Sequence, residues 1–309
     1  MIKQWQTLVQ TEPLKERIKY SHKILFTGSC FAGEIGNRMQ NLRFQTLVNP
    51  FGVLYNPASI ALSLERIETE IPFSGDELIK AGDIYKSFMH SSEFASTSET
   101  DFLNKNNSLL KTASLHFKES RWIVITLGTS WVYREKKSQK IVSNCHKLPS
   151  DMFIREAMEA DEIDKVLSDI IKRHPDKNWV LTVSPIRHFK DGANGNQLSK
   201  ARLLLATNAL VEKFSNVFYF PAYEIFMDEL RDYRFYAEDM IHPSAESTDY
   251  IWEKFREFAV DASCESIMSD VTSLIKMKQH RPLFPESKDY REFLDKIAKL
   301  EAKIASKRL

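Results

Sequence analysis

The chain lacks most of the features that mark specialised classes of protein. No charge of one sign predominates, because 43 Lys and Arg stand against 42 Asp and Glu over 309 residues, a formal net charge of +1. Global attraction to nucleic acid or to an anionic membrane surface is therefore excluded, and only a local basic pocket remains open. No apolar run approaches the roughly 20 residues of a membrane span; the longest, such as residues 122–127, are strand-sized. Cysteine is scarce. Cys30, Cys145 and Cys264 are odd in number and widely spaced, so neither a disulfide framework nor a C-x-x-C metal pair is read, and a reducing, cytoplasmic compartment is expected. The opening Met1-Ile2-Lys3-Gln4-Trp5-Gln6 has no apolar segment and no small-residue cleavage site, so no secretory signal is expected. Internal repeats and low-complexity segments are missing as well. What is present, 43% hydrophobic and 28% charged residues, is the composition of an ordinary globular domain.

Strand-like and helix-like runs alternate along most of the length. Short apolar runs at residues 23–27, 122–127, 179–183 and 217–220 read as strands, the second as one buried on both faces. Between them, helical spacing covers residues 32–42, 58–69, 98–120, 159–173 and 198–214, and two further helices are read at 250–260 and 267–278. Asn56-Pro57 supplies an N-cap and a first-turn proline for the second of these, while Asn104, Asn106 and Asn107 weaken the middle of the third. Residues 131–144 read as a β-hairpin turning near Lys137-Ser138. Strands separated by helices of this length predict a mainly parallel sheet covered on both faces, a three-layer α/β/α fold. Residues 1–278 are expected to form one domain, and 279–285 a linker. After it, a charged helix over 287–308 carries Phe293, Ile297, Leu300 and Ile304 at three- and four-residue spacing. This tail is read as packing on its own domain, with a homodimer through it as the alternative.

In open parallel sheets, ligands bind beyond the carboxyl ends of the strands. Two segments with reactive side chains fall there. In Gly28-Ser29-Cys30 an apolar strand stops at glycine and a helix follows, so a side chain is offered to a helix N-terminus, which suits a thiolate or alkoxide nucleophile and a nearby oxyanion. The plainer reading is a tight turn with a small buried cysteine. In Asp239-Met240-Ile241-His242-Pro243, a carboxylate three residues before a histidine can orient it as a general base, or can simply tie off loop backbone donors. Gly192-Ala193-Asn194-Gly195-Asn196 has no following lysine and is no phosphate-binding loop; it reads as a loop beside the site. His90, Cys145-His146 and His188 are scattered without close ligand spacing, so no metal and no cofactor is assigned. Arg187 and His188, beyond the third apolar strand, are candidates for binding an anionic substrate group, and Lys147 is another.

A nucleophile after the first strand and a late Asp-x-x-His is the chain order of the SGNH/GDSL hydrolases. More specifically, Gly28-Ser29-Cys30-Phe31-Ala32 resembles the signature of the GSCFA-domain family, which is related to those hydrolases. Asn49-Pro50-Phe51-Gly52, Leu127-Gly128-Thr129-Ser130-Trp131, Asn144-Cys145-His146-Lys147, Ser184-Pro185-Ile186-Arg187-His188 and Asp239-Met240-Ile241-His242-Pro243 are similar to that family too. The resemblance implies a flavodoxin-like SGNH fold in which Cys30 takes the position of the nucleophilic serine in Gly-Asp-Ser, with Ser29 at the aspartate; Ser29, one residue earlier in the same turn, is the alternative nucleophile. It implies that the N–H groups of Cys30 and Gly52 are the backbone oxyanion donors and that Asp239 and His242 complete the triad. Gly128-Thr129-Ser130 stands where the superfamily has Gly-x-Asn, so the asparagine amide is missing and a Thr129 or Ser130 hydroxyl is the substitute. The implied activity is hydrolysis or transfer of an acyl ester, such as an O-acylated carbohydrate. The alternative is a non-catalytic carbohydrate- or acyl-binding protein on the same fold.

Overall fold

The computed structural model describes residues 7–307. The opening residues read above for a signal, and Arg308 of the tail helix, lie outside the described residues. The chain enters β1 (Lys23–Gly28), α1 (Cys30–Asn41), β2 (Gln45–Val48) and α2 (Pro57–Thr69). A small hairpin, β3 (Leu78–Ala81) and β4 (Ile84–Ser87), leads to α3 (Glu99–Glu119) and the central strand β5 (Ser120–Leu127). Next come β6 (Trp131–Glu135), β7 (Ile141–Val142), β8 (Phe153–Ala157), α4 (Ala160–Arg173), β9 (Asn178–Val183), α5 (Gly192–Lys213) and β10 (Val217–Tyr219). A one-turn α6 (Ala222–Glu224), α7 (Ala245–Ala259), α8 (Glu265–Gln279) and α9 (Lys288–Lys307) complete it.

Five strands form one parallel sheet in the order β10-β9-β5-β1-β2. Counted among themselves, these strands run 2-1-3-4-5, the flavodoxin-like order, whose switch point falls between β1 and β5. Side chains alternate across the sheet. Ile24, Phe26, Trp122, Val124 and Val180 face α1, α7 and α8, whereas Leu25, Ile123, Ile125, Leu127 and Leu181 face α2, α3, α4 and α5. Both faces being covered explains why β5 reads as an unbroken apolar run. The expected three-layer architecture is the one observed. No helix of the described residues is long and apolar enough to cross a membrane.

Capping follows the local chemistry: Asn56 Oδ1 accepts from Ser59 N at 2.8 Å, with Pro57 first in α2. One of the asparagines that weaken α3 has a tertiary use. Asn107 accepts from Phe73 N at 2.7 Å and donates to Phe73 O at 3.0 Å, pairing a helix side chain with a distant backbone as a strand would. The hairpin at β6 and β7 forms, but β8 adds a third antiparallel strand on the other edge of β6. Residues 192–196 are not a loop but the opening of α5. Asn196 holds them in place, its buried carboxamide accepting from His188 N at 2.9 Å. The tail helix α9 spends its apolar stripe within the chain. Ile304 is buried in the α8 face of the core, and Lys303 and Lys307 pair with Asp270.

One core residue predicts acid sensitivity. His90 is buried among Phe51, Phe73, Phe94 and Phe102, and neither of its ring nitrogens has a hydrogen-bond partner. Burial, helped by the nearby Arg66 charge, pushes its pKa from 6.5 down to about 3. The unfolded chain therefore takes up a proton below pH 6.5 that the folded chain refuses until about pH 3, and stability falls as pH drops through that window. At pH 5 this amounts to about 2 kcal/mol. Denaturant titrations of the parent and of His90→Leu at pH 7 and pH 5 check it: the parent should lose about 2 kcal/mol more than the variant on acidification. Equal losses would assign the acid sensitivity to other groups.

Candidate active site

The first apolar strand ends in a turn that only glycine permits. Gly28 has φ +135°, and a Cβ there would lie 2.2 Å from Thr126 O. Its N–H donates to Asn49 Oδ1 at 3.0 Å and its carbonyl accepts from Leu54 N at 2.9 Å, so the loop between β2 and α2 holds the turn at two points. Ser29 is the N-cap of α1, but its side chain caps nothing. Its N–H donates to Thr126 O at 3.0 Å, and its hydroxyl is buried without a partner. Cys30, the first residue of α1, is half-buried, and its sulfur lies 3.7 Å from the Tyr55 hydroxyl. The helix opening adds backbone N–H groups without intrahelical acceptors.

The histidine comes from the loop between α6 and α7. This loop is closed by Ala237 N donating to His242 O at 2.8 Å and by a bridge between Tyr236 and Pro243. Asp239 Oδ1 accepts from the N–H groups of Ile241 and His242, both at 2.9 Å, and Oδ2 lies 2.6 Å from His242 Nδ1. The His242 N–H, its imidazole and the Ile241 N–H together pull the Asp239 carboxyl down to about 2. A carboxylate can only accept, so Nδ1 carries a proton, and in the neutral imidazole the lone pair is on Nε2.

Arg187 braces this loop. Its guanidinium donates to Met240 O and lies 4.0 Å from the Tyr236 ring centre and 4.7 Å from that of Phe189. His188 sits deeper, its ring edge-on to Tyr55 at 5.8 Å and its Nε2 buried without a partner. Burial, then the Lys200 charge, lowers its pKa to about 4, so it is neutral and a poor anchor for an anion near pH 7.

Cys30 and His242 open onto the same cleft of about 280 Å³, bordered also by Glu34, Arg38, Ile186 and Pro243. Ser29 does not line it. A larger groove of about 1050 Å³ lies between α2, the β3–β4 hairpin and the β6–β7 edge, and it contains none of these side chains. Of these two, the smaller cleft is the candidate site, because it joins the Cys30 thiol to a carboxylate-oriented histidine at the switch point of the sheet.

A family model, that of the GSCFA family, matches residues 23–255, from the first residue of β1 into α7 and across both halves of the cleft. The chain belongs to the GSCFA family. No curated protein matches it.

Two features that the GSCFA resemblance assigned to the oxyanion are used otherwise. The Gly52 N–H donates to Asn49 O at 2.8 Å and is not available as a donor. Gly52 is needed for shape instead: it has φ +80°, and a Cβ would lie 2.0 Å from Ser91 Oγ. The hydroxyls of Thr129 and Ser130 are also engaged. Thr129 Oγ1 and Ser130 Oγ lie 3.0 and 3.2 Å from Ser199 Oγ, Thr129 Oγ1 also accepts from Trp131 N at 3.2 Å, and Ser130 is fully buried. They fasten β5 to α5 rather than face the cleft.

Two residues beside the site escaped the sequence reading. Tyr55 is one. Lys200 is the other, wholly buried, donating to Gly128 O and Ser184 O at 2.7 Å each and so tying the ends of β5 and β9 together. Burial without a carboxylate partner brings its pKa down to about 7. A sequence signal for it existed: Lys200 shares a helical stripe with Leu203, Thr207 and Leu210, where a lysine is out of place. His146 is a satisfied core histidine, with Nε2 2.7 Å from Ser87 O and Nδ1 3.3 Å from Ser92 Oγ. Among the described residues, no group of three or more His, Cys, Asp or Glu side chains could hold a metal ion.

Proposed function

We propose that this GSCFA protein is an acyl-transfer enzyme of SGNH type, acting on an acyl ester such as an O-acylated carbohydrate. The observation that carries the reading is the Asp239–His242 contact of 2.6 Å opening onto the cleft that holds Cys30 at a helix N-terminus. A pure binding protein has no need of a histidine held in one tautomer. In this reading Cys30 Sγ attacks the carbonyl carbon and His242 Nε2 takes the thiol proton. The tetrahedral intermediate collapses, the alkoxide leaves with that proton, and a thioester remains on Cys30. Water or a sugar hydroxyl, giving its proton to His242, then bonds to the thioester carbon; the C–S bond breaks, and Cys30 recovers the proton from His242, giving hydrolysis or transfer.

One observation favours a non-catalytic carbohydrate- or acyl-binding role instead: the Gly52 N–H and the Thr129 and Ser130 hydroxyls are all engaged elsewhere. Labelling with iodoacetamide, together with a panel of short acyl esters and thioesters, separates the two. The enzyme reading expects stoichiometric modification of Cys30 ahead of Cys145 and Cys264, whose thiol pKa values burial raises, and loss of ester turnover in step with it. Equal labelling of all three cysteines with no turnover of any ester would leave the binding role.

A further inference from the structure

We propose that the Tyr55 hydroxyl is the side-chain donor to the carbonyl oxygen during acyl transfer on Cys30, replacing the amide absent from Gly128-Thr129-Ser130. The inference rests on the reading of Cys30 as nucleophile. Its first support is position. Tyr55 Oη lies 3.7 Å from Cys30 Sγ, and among the described residues no other side chain lies at hydrogen-bonding distance from that sulfur. The oxygen of a carbonyl whose carbon is bonded to Sγ is two bonds from the sulfur, within reach of a hydroxyl so placed.

The second support is the way Tyr55 is built onto the segment that lacks the asparagine. Its carbonyl accepts from Gly128 N at 2.8 Å and from Thr129 N at 2.9 Å. A Cβ on Gly128 would lie 2.9 Å from Tyr55 O and 3.3 Å from both Tyr55 Cα and Cδ1, so the glycine makes room for the tyrosine to press against the end of β5. Lys200, donating to Gly128 O, holds the same residue from beneath. The His188 ring buttresses the phenol edge-on. A third support is elimination, because the Gly52 N–H and the Thr129 and Ser130 hydroxyls are already engaged.

The chemistry asks only for a donor. As the S–C bond forms, the carbonyl π pair moves to oxygen, and the Tyr55 O–H donates a hydrogen bond to that oxygen without giving up its proton. On collapse the pair returns, the C–O bond to the leaving group breaks, and the alkoxide takes the proton that His242 received from Cys30. Burial, and the neighbouring Cys30, push the Tyr55 pKa up, so the phenol stays protonated.

The test measures acylation of Cys30 by p-nitrophenyl acetate and by its thiono analogue, following nitrophenolate release and the mass of the acylated protein. Sulfur is a poorer hydrogen-bond acceptor than oxygen, so a donor at this position makes the parent prefer the oxygen ester. Tyr55→Phe should slow acylation by the oxygen ester by on the order of a hundredfold, the cost of one oxyanion donor. It should also narrow the preference over the thiono ester, while iodoacetamide labelling of Cys30 and the melting curve stay as in the parent. Loss of rate with the same preference would mean a merely structural role and overturn the proposal. So would a full acylation rate in Tyr55→Phe while His242→Ala is slow, and in that case Cys30 remains the nucleophile. If parent Cys30 is acylated no faster than in the unfolded chain, the nucleophile reading and the donor role fall together.

Discussion

Cys30→Ala should abolish acyl turnover, with a loss on the order of 10⁶-fold, as for removal of the nucleophile from a triad that acts as a unit. Ser29→Ala should keep measurable activity. The two residues are neighbours, and the turn separates them. Ser29 is 1% exposed, its N–H belongs to Thr126 O, and its hydroxyl is buried outside the cleft lining. Cys30 begins the helix and borders the cleft shared with His242. Bringing Ser29 Oγ to the cleft would require re-turning a segment that Asn49, Leu54 and Thr126 hold through Gly28 and Ser29. Cys30→Ser is the informative intermediate, retaining the atom count while depending wholly on His242 for activation. The three variants are compared on any ester that the parent turns over. An active Cys30→Ala beside a dead Ser29→Ala would move the nucleophile one residue back.

Asp239→Asn is expected to lower turnover by about 10⁴-fold, and His242→Ala by nearly as much as loss of the nucleophile. Asp239 Oδ1 ties the loop through two N–H groups, while Oδ2 faces His242 Nδ1. An asparagine that keeps its oxygen on the backbone donors presents its NH₂ to Nδ1, which then accepts and leaves Nε2 protonated. The base is lost although the loop is kept. Because the Asp239 pKa is lowered to about 2, its orienting bond is present throughout the range above that value and is lost only as pH falls through it. An acid limb in the pH–rate profile above pH 4 therefore does not come from Asp239. Both side chains are about half exposed, so the melting temperature should barely move in either variant. Calorimetry alongside kcat/KM checks this. Full turnover in Asp239→Asn would reduce the pair to a brace for the loop.

How much of the site was legible depended on how local each cause was. The Gly28-Ser29-Cys30 turn and the Asp239–His242 pair are decided within a few residues, by strand, glycine, helix start and a three-residue spacing. They were visible before the fold. The roles expected for Gly52, Thr129, Ser130 and Arg187 depended on where a single N–H, hydroxyl or guanidinium points. Those directions are settled by Asn49 O, Ser199 and Met240 O, the last two of them more than 50 residues away in sequence. Spacing carries no such information. Residues 192–196 were misread for a related reason, since two glycines argue against a helix locally, and the buried Asn196 carboxamide outweighs them.

The sequence by itself determined the layered α/β architecture, the Gly28-Ser29-Cys30 turn after the first strand and the carboxylate–histidine pair near the end, because hydrophobic periodicity, backbone permissiveness and short spacings are local properties. Only the tertiary structure decided that Cys30 and His242 share one cleft, that Ser29 is shut out of it, and that Tyr55 stands over Gly128 beside the sulfur. It also decided that Lys200 is a wholly buried tie between two strand ends. Each of these joins segments brought together by the parallel sheet, and the direction of a side chain at such a junction is set by packing and hydrogen-bond competition across the whole domain.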